Sequence, residues 1–294
     1  MMKNLLFLIP MFSFFWACSP KEQTSSESQP PESVPVKVMS YNIRYDNPQD
    51  SVKGNGWDTR KHKIVALIRH YAPDLIGTQE ALAHQVEFLG ENLEGYQWKG
   101  VGRDDGKRAG EFAPVLYNSH KFELLESNTF WLSETPEKPS KAWDAALPRI
   151  ATWAKMKEKA SGKIILMINT HFDHVGKEAR KQSMRLLKQK AKEMVGDLPV
   201  VITGDFNCTP DSEPYAEMTG SDGYQDAFVA SARPSYGPQG SFTGFIVCEE
   251  NSLPRIDYIF FNAKVKVEKH EIINDFSQGR YPSDHLPLLA TLNF

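Results

Sequence analysis

Polar side chains that could do chemistry stand at or next to the ends of several short apolar runs. They are Asn42 in SYNIR, Glu80 in TQEA, His171 in NTHF, Asp205 and Asn207 in GDFN, Asp257 in RIDYI, and Asp284 and His285 in SDHLP. Ligands of α/β proteins commonly bind at strand ends, because the rigid sheet fixes the side chains there. If these residues converge, their carboxylates share one pocket, and a cation or a proton must offset the crowded negative charge.

A hard divalent cation with oxygen ligands is the natural solution to that crowding. Mg²⁺ is usually held by one or two carboxylates and leaves positions for phosphate oxygens. The chain has no Cys or His cluster at zinc spacing, so Mg²⁺ is the expected cofactor, with Mn²⁺ as a substitute. Taken singly, an Asp or Asn after a strand is more often a turn former or a helix cap. The prediction therefore depends on the whole set.

The elements that must position these residues are alternating strands and helices. Strand-like runs occupy 34–43, 73–81, 114–118, 122–132, 149–157, 163–172, 199–207, 255–262, 265–273 and 286–294. Helical spacing of apolar residues predicts helices over 59–71, 81–93 and 176–195. There is no internal repeat and no second linker, so we expect one domain of mixed strands in two packed sheets flanked by helices.

The ordered series SYN, TQE, NTH, GDFN, RIDYIF and SDHLP resembles the endonuclease/exonuclease/phosphatase superfamily, which includes deoxyribonuclease I, neutral sphingomyelinases and inositol-polyphosphate 5-phosphatases. The resemblance runs from about residue 36 to the C-terminus. It implies an α/β fold, a four-layer α/β sandwich in which two packed mixed β-sheets are flanked by helices, as in deoxyribonuclease I. Local segments are similar to an uncharacterised branch of secreted bacterial lipoproteins within that superfamily.

The resemblance also implies a division of labour around a metal and a water molecule. Glu80 matches the principal metal ligand of the superfamily, and Asn42 and Asp284 match residues that support the metal. Asp205 matches the residue that orients and deprotonates the attacking water, and Asn207 helps to place that water and a phosphate oxygen.

Two histidines complete the set that the resemblance implies. His285, oriented by Asp257, would bond to the phosphoryl oxygens as charge develops there, and whether it also protonates the leaving group is left open. His171 resembles a second phosphate-contacting histidine. This combination suits phosphoryl transfer, which needs positioning and charge stabilisation more than covalent chemistry. We therefore expect a Mg²⁺-dependent phosphoesterase that hydrolyses a phosphodiester or a phosphomonoester by in-line attack of water.

Substrate choice is less constrained by the sequence. Candidate substrate contacts are Arg103, Arg149, His174 and Arg180, since arginine forks suit phosphate. The alternative is that they form surface salt bridges with nearby acidic residues, namely Asp104, Asp105, Asp173 and Glu178. A small phosphoester or a lipid head group is the favoured substrate, and nucleic acid is the alternative.

Charge gives a further hint about partners. The formal net charge of -3 argues against a surface built to coat nucleic acid. The helix predicted at 176–195 is lysine-rich on one side, which could follow a nucleic-acid backbone or an anionic lipid surface. A solvated outer face is the commoner reason for such a pattern.

The N-terminal region reads as a targeting and anchoring segment. Residues 1–17 have the layout of a signal peptide, and Cys18 follows Ala17 as in bacterial lipoproteins. Residues 18–35 are rich in Ser, Pro, Glu and Gln and read as a lipidated cysteine with a disordered tether, followed by the domain at 36–294. These features predict a monomer in the cell envelope, held to a membrane through the lipid on Cys18, or a secreted protein.

Three points stay open at the level of sequence. Cys208 and Cys248 could pair in a disulfide, but their spacing does not decide it. A lipoprotein that keeps this fold and binds a metal or ligand without catalysis is a second functional hypothesis. A Ser-His-Asp hydrolase is disfavoured, because no Gly-x-Ser-x-Gly elbow occurs.

Overall fold

The computed structural model describes Met1 and residues 35–220, 223–247 and 253–294. The predicted signal peptide and tether, including Cys18, lie outside the described residues, and so does Cys248. From Pro35 onward, the described residues belong to one compact unit, Ser33–Phe294. The boundaries expected for the leader and the tether therefore stay predictions.

Strands dominate the described chain. In chain order the elements are β1 (Val36–Asn42), α1 (Pro48–Val52), α2 (Trp57–Tyr71), β2 (Leu75–Gln79), α3 (Ala83–Asn92), β3 (Tyr96–Lys99), β4 (Val115–Asn118), β5 (Phe122–Trp131), β6 (Ile150–Glu158), β7 (Ile164–His171), α4 (Lys177–Val195), β8 (Val200–Asp205), α5 (Glu213–Thr219), β9 (Gln225–Asp226), α6 (Ala227–Ala230), β10 (Asp257–Phe261), β11 (Lys266–Ile272) and β12 (Leu288–Asn293).

The strands form two mixed sheets, and each is built around one parallel pair. The first sheet has the order β11-β12-β1-β2-β4-β3, and the second has the order β5-β6-β7-β8-β10-β9. β1 and β2 run parallel in the first sheet, and β7 and β8 run parallel in the second. All other pairs are antiparallel. The carboxyl ends of both parallel pairs carry residues that the sequence singled out.

Three apolar clusters define the layers. The central cluster lies between the sheets and joins residues such as Val38 of β1 to Met167 of β7. The second packs α2 and α3 on the outer face of the first sheet, and the third packs α4 and α5 on the outer face of the second. Burial of these clusters supplies the main driving force for folding. The fold is the expected α/β sandwich of two packed sheets flanked by helices.

A buried polar layer interrupts the apolar contact between the sheets just below the strand ends. Asn169 of β7 donates hydrogen bonds to the backbone oxygens of Thr78 (2.7 Å) and Pro114 (2.9 Å) in the other sheet. Gly77 makes this close approach possible, because an added Cβ there would lie 2.1 Å from the Thr203 hydroxyl oxygen. The layer thus ties the two parallel pairs together.

The long outer helix α4 illustrates how the apolar pattern seats a helix. Its buried residues Ala179, Met184, Leu187 and Ala191 repeat at three to five positions and face the second sheet. Within the described part of the chain, no helix has both the length and the apolar character needed to cross a membrane.

Candidate active site

The predicted site residues meet where the two parallel strand pairs end. Asn42 closes β1 and Glu80 follows β2, whereas His171 closes β7 and Asp205 closes β8. His171 and Asp205 are direct partners in the register of β7 and β8. Because parallel neighbours end at the same edge of a sheet, both sheets deliver their polar termini to one place.

Asp205 is the centre of this cluster and is almost completely buried. Its Oδ1 accepts the backbone N–H of Asn207 at 2.9 Å, and its Oδ2 accepts the Asn42 amide at 2.9 Å. The same Oδ2 lies 3.6 Å from Nε2 of His171 and 3.6 Å from Nε2 of His285. Burial, together with the neighbouring carboxylate of Asp257, raises the pKa of Asp205. The carboxylate is therefore held in one orientation by both sheets.

Glu80 faces Asp205 through Asn42. The Asn42 amide nitrogen donates to Glu80 Oε1 at 3.0 Å, and the Tyr45 backbone N–H donates to Glu80 Oε2 at 3.2 Å. The Asn42 side-chain oxygen accepts the backbone N–H of Arg44 at 3.0 Å. Asn42 was expected to support the metal; here it is a donor that bridges two carboxylates, and its oxygen is used by the backbone.

His285 is held by a buried carboxylate, as expected. Its Nδ1 lies 2.8 Å from Asp257 Oδ2, which also accepts the Ser241 hydroxyl at 2.6 Å. Burial alone would lower the pKa of His285, but the carboxylates of Asp257 and Asp205 outweigh burial and raise it well above its ordinary value. Phe242 packs edge-on against the imidazole, with ring centroids 5.0 Å apart. The ring is thus fixed with Nε2 directed to the site.

His171 has the opposite electrostatic setting. Burial lowers its pKa to about 3, and the nearby Arg149 charge acts in the same direction. Nε2 of His171 lies 3.1 Å from the Asn207 amide, whose nitrogen also donates to the Phe172 backbone oxygen at 3.0 Å. Nδ1 is buried without a hydrogen-bond partner and lies 3.6 Å from Glu111 Oε2. An amide donor on Nε2 places the proton on Nδ1, so a neutral His171 offers an unused donor.

Left-handed backbone conformations occur directly at the site. Glu80 has φ 65° and Asn207 has φ 48°, and Arg44, two residues after Asn42, has φ 58°. Asn tolerates this region, whereas Glu and Arg pay a cost on the order of 1 kcal/mol. Each of these residues follows a parallel strand of the site by one or two positions, and the strained turns aim their side chains back across the strand ends.

The residues present fit a hard divalent cation. Glu80, Asp205 and His285 each offer a ligand atom, and these atoms lie within 4.8 Å of one another. Asp284 lines the same pocket but is not a member of this group, although it was expected among the metal residues. Burial raises the pKa of Asp284, and the Glu80 carboxylate adds to the shift. Crowded buried carboxylates of this kind are stabilised by a cation.

Arg44 is a site residue that the sequence analysis missed. Its guanidinium lies 3.6 Å from Asp284 Oδ2 and 3.9 Å from Glu80 Oε2, and it donates to Asp50 Oδ2 at 2.8 Å. It therefore brings a positive charge to the edge of the carboxylate cluster. The only available signal was its position two residues after Asn42, and nothing about that spacing reveals where the side chain points.

Arg60 was missed for a different reason, because it lies inside a helix. Its buried guanidinium donates to the backbone oxygens of Ile43 (2.7 Å) and Pro282 (2.9 Å). These carbonyls belong to the loop after Asn42 and the loop before Asp284. Arg60 thus fastens two site loops to α2.

The candidate substrate contacts separate into two groups. Arg103, Arg149 and His174 line the same pocket as Asp205. The volume of this pocket is about 620 Å³. Arg180 does not line this pocket: it lies in a neighbouring cavity of about 350 Å³ and donates to the Asp173 backbone oxygen at 2.8 Å. Arg180 therefore supports the loop that carries His174, and its expected contact with substrate stays a prediction.

The basic side of α4 is partly neutralised. Ion pairs join Lys181 to Glu213 (2.5 Å), Lys188 to Glu217 (3.2 Å) and Lys190 to Glu193 (2.9 Å). These pairs are exposed or half-buried, so each contributes little to stability. They leave α4 with less free positive charge than its composition suggests.

Cys208 lies close to the site and has no disulfide partner among the described residues. It is a buried free thiol, and burial raises its pKa to about 11. A neutral thiol of this kind behaves as a small apolar side chain.

Comparisons with known proteins agree with this geometry. The model of the Endonuclease/Exonuclease/phosphatase family matches residues 39–285. A solved endonuclease/exonuclease/phosphatase from Bacteroides vulgatus is 45% identical, with a TM-score of 0.84 over 88% of this chain and 98% of that chain. A mannosyl-6-phosphatase from Bacteroides thetaiotaomicron is 38% identical, with a TM-score of 0.84 over 88% of this chain and 100% of that chain.

Curated relatives are more distant. The CCR4-Not complex 3'-5'-exoribonuclease subunit Ccr4 of Mycosarcoma maydis is 22% identical over 87% of this chain and 50% of its own length. The chain spans about half the length of the first curated relatives it matches.

Proposed function

Because this chain belongs to the endonuclease/exonuclease/phosphatase family, we propose that it is a metal-dependent phosphatase that releases phosphate from a small, polar phosphomonoester. The observation that carries this proposal is the convergence on Asp205: Asn42 and Asn207 fix its two oxygens, and two histidine nitrogens lie 3.6 Å away. Such a cluster can hold a phosphoryl group and aim a water molecule at it.

The side chains divide the work as follows. Asp205 accepts a proton from the attacking water and orients it, and the Asn207 amide helps to place the phosphoryl group. His285, charged and held by Asp257, donates through Nε2 to a phosphoryl oxygen, and neutral His171 donates through Nδ1. His285 Nε2 lies 3.6 Å from Asp205, where negative charge would develop, and the fixed orientation of such a donor lowers the barrier.

Glu80 would hold the cation, with the Asp205 carboxylate as the other oxygen ligand within reach. We propose Mg²⁺, with Mn²⁺ as a substitute, because the available oxygens are hard ligands. When bound, such an ion supplies positive charge that stabilises the phosphoryl and leaving-group oxygens.

A phosphomonoester is favoured over a polynucleotide for two reasons. The similarity to the mannosyl-6-phosphatase is 38% identity, whereas that to the exoribonuclease subunit is 22%. Three lysines of α4 that could track a nucleic-acid backbone are paired with Glu213, Glu217 and Glu193. A hexose 6-phosphate is therefore the first substrate to test, and RNA is the alternative.

A substrate panel tests this proposal with the purified protein. Phosphate release from mannose 6-phosphate and from 4-nitrophenyl phosphate, diester cleavage of bis(4-nitrophenyl) phosphate, and RNA cleavage are compared in Mg²⁺ and in EDTA. We expect chelator-sensitive hydrolysis of the monoesters above all. Asp205→Asn should reduce it at least ~100-fold, and Asp211→Asn, an exposed carboxylate that bonds to Thr209, should leave it unchanged. RNA cleavage without phosphate release from monoesters would replace phosphatase by nuclease.

The cellular place of this activity is a further part of the proposal. We infer from the apolar leader and from Cys18 that the protein acts outside the cytoplasm, tethered to a membrane by lipid on that cysteine. We expect it to be a monomer. Metabolic labelling with palmitate should mark the wild type and not Cys18→Ala. Equal labelling of both proteins would exclude the anchor.

A further inference from the structure

Two arginines in the active-site pocket are buried and keep hydrogen-bond donors unused. Arg149 is 4% exposed; its Nε donates to Asp173 Oδ2 at 3.2 Å and its Nη2 lies 2.9 Å from His174 Nδ1. Its Nη1 is buried without a hydrogen-bond partner. Buried donors are nearly always paired, so an orphaned guanidinium nitrogen that lines a pocket points to a ligand oxygen.

Arg103 shows the same pattern, and the two arginines together form one wall of the pocket. It is 7% exposed, and its Nη1 donates to Glu111 Oε2 at 2.6 Å. Its Nε is buried without a hydrogen-bond partner, since the nearest ion-pair oxygen, Asp104 Oδ1, is 3.8 Å away. Two independent guanidiniums that line one cavity thus each keep a buried donor without a partner among the described residues.

The wall adjoins the reacting groups and does not overlap them. Arg103 and Arg149 line the pocket that also contains Asp205. Glu111 joins the wall to the phosphate side, because the Oε2 that binds Arg103 lies 3.6 Å from Nδ1 of His171. A ligand whose phosphate lies beside Asp205 would therefore extend its remaining atoms towards these arginines.

Charge decides which ligand atoms suit the wall. Arg149 is paired with Asp173, and Arg103 is paired with Glu111, so each positive charge already has a buried or half-buried negative partner. A second phosphate or carboxylate would meet a wall without net charge. Neutral hydroxyl groups, which accept from guanidinium N–H groups and donate to a carboxylate such as Glu111, match it better.

We propose that Arg103 and Arg149 form a subsite for the neutral, hydroxyl-rich part of a sugar phosphate and thereby determine which phosphomonoesters the protein selects. The inference rests on the proposed phosphatase activity for the position of the phosphate. It extends that proposal, because it identifies the part of the substrate that is recognised and the residues that recognise it.

The test measures how much the sugar adds to binding. Calorimetric titrations are performed in Mg²⁺ on the Asp205→Asn background, which slows turnover at least ~100-fold, with mannose 6-phosphate, inorganic phosphate and a hexose 1,6-bisphosphate. We expect mannose 6-phosphate to bind at least tenfold more tightly than inorganic phosphate. Adding Arg149→Lys or Arg103→Lys, which keep the charge and lose the planar fork, should remove most of that advantage.

Arg108→Lys is the matched control, because Arg108 belongs to the same loop as Arg103. Its side chain is 68% exposed and pairs with Glu87. It should leave the advantage of mannose 6-phosphate unchanged. Melting temperatures of all variants show whether an affinity change follows from unfolding.

Several outcomes would overturn the subsite. They are equal affinity for phosphate and mannose 6-phosphate in the parent protein, an advantage that survives both arginine variants, and a stronger, Arg149-dependent preference for the bisphosphate. Hydrolysis of 4-nitrophenyl phosphate by the wild type is measured alongside. Hydrolysis without a sugar advantage would refute the subsite alone, and an arginine-dependent sugar advantage without hydrolysis of any phosphoester would refute the phosphatase alone.

Discussion

Asn169 in β7 and Thr78 in β2 are joined across the two sheets by a hydrogen bond of 2.7 Å from the Asn169 amide to the Thr78 backbone oxygen. The Asn169 side-chain oxygen accepts the amide of Gln79 at 2.7 Å, so the link is made in both directions. Thr78 lies two residues before Glu80, and Asn169 lies two residues before His171. Asn169 and His171 share a face of β7, because alternate residues of a strand do so, and Glu80 directly follows β2. The link therefore lies just below the site and fixes the distance between the two strands that precede His171 and Glu80.

Asn169→Asp tests whether that link positions the site. The variant keeps an acceptor for Gln79 and loses both amide donors, so the buried Thr78 oxygen loses its Asn169 bond and the Pro114 oxygen keeps only the Thr78 N–H at 3.2 Å. We expect the free energy of unfolding to fall by about 3 kcal/mol and kcat to fall at least tenfold. Urea unfolding and steady-state kinetics measure the two effects.

Asn262→Asp is the control for Asn169→Asp. Asn262 donates to the Leu198 backbone oxygen at 2.9 Å and accepts the Val200 N–H at 3.1 Å, at the opposite end of β8 from Asp205. This variant should lose some stability and keep the wild-type kcat. Wild-type kcat in Asn169→Asp would show that the link is only structural.

Asp257→Asn should separate catalysis from stability. The carboxylate holds Nδ1 of His285 and is the register partner of Asp205, so two buried carboxylates lie side by side. Removing the charge weakens the support for a charged His285, and we expect kcat/KM for 4-nitrophenyl phosphate to fall by about 100-fold or more. The melting temperature should stay the same or rise, because like charges no longer meet.

Ser241→Ala is the comparison for Asp257→Asn. It removes one hydrogen bond to Asp257 Oδ2 and leaves the carboxylate in place, so kcat/KM should fall less than tenfold. If both variants lost activity equally, orientation of the carboxylate rather than its charge would be the decisive factor.

Much of the framework was predictable because it depends on local pattern. The strands that bear Asn42, His171 and Asp205 are continuous apolar runs with polar ends, and helix α4 has a clear apolar repeat. The resemblance of the ordered motifs to one superfamily supplied the two-sheet arrangement that the pattern alone left open.

The parts that the sequence did not predict depend on contacts between distant segments. β3 and α5 are short and lack a distinctive repeat, and they were not anticipated. Arg44 and Glu111 reach the site from turns whose direction is set by tertiary packing. Arg180 was expected to contact substrate because arginine suits phosphate, and the sequence did not reveal that it lines a neighbouring cavity and donates to the Asp173 backbone oxygen.

Glu80→Gln should affect metal binding and apo stability in opposite directions. In the wild type, a cation bound only by the folded state raises stability by RT ln(1 + [L]/Kd), about 2.7 kcal/mol at 100-fold excess over Kd. The variant loses the charge that the proposed ion requires, so Mg²⁺ should raise its melting temperature far less. Without metal it should melt at or above the wild type, because the Glu80 charge no longer opposes that of Asp284.

Thermal melting in EDTA and in a Mg²⁺ series provides this measurement. Glu87→Gln, which changes an exposed carboxylate paired with Arg108, should keep the full Mg²⁺ response. A Glu80→Gln variant with the wild-type Mg²⁺ response would place the cation elsewhere.

His270 in β11 should make the free energy of unfolding fall as the pH is lowered. The side chain is fully buried, its Nδ1 lies 2.8 Å from the Ser235 hydroxyl, and its Nε2 has no hydrogen-bond partner. Burial lowers the pKa of His270 to about 3, and the Arg255 charge acts in the same direction. An unfolded histidine has a pKa of about 6.5, so between these values the unfolded chain binds a proton that the folded chain does not.

This difference in proton binding makes the folded protein less stable at acid pH. Neutral His270 makes its full contribution to the free energy of unfolding above pH 6.5, and this contribution is lost as the pH falls towards 3. At pH 5 the loss is about 2 kcal/mol. His270→Gln cannot bind the proton. Its free energy of unfolding should therefore fall by about 2 kcal/mol less than that of the wild type between pH 7 and pH 5, although the variant is less stable than the wild type at pH 7. Urea unfolding at both values measures this difference. His120→Gln, at an exposed site, should retain the wild-type slope, and an unchanged slope in His270→Gln would mean that His270 is protonated in the folded protein.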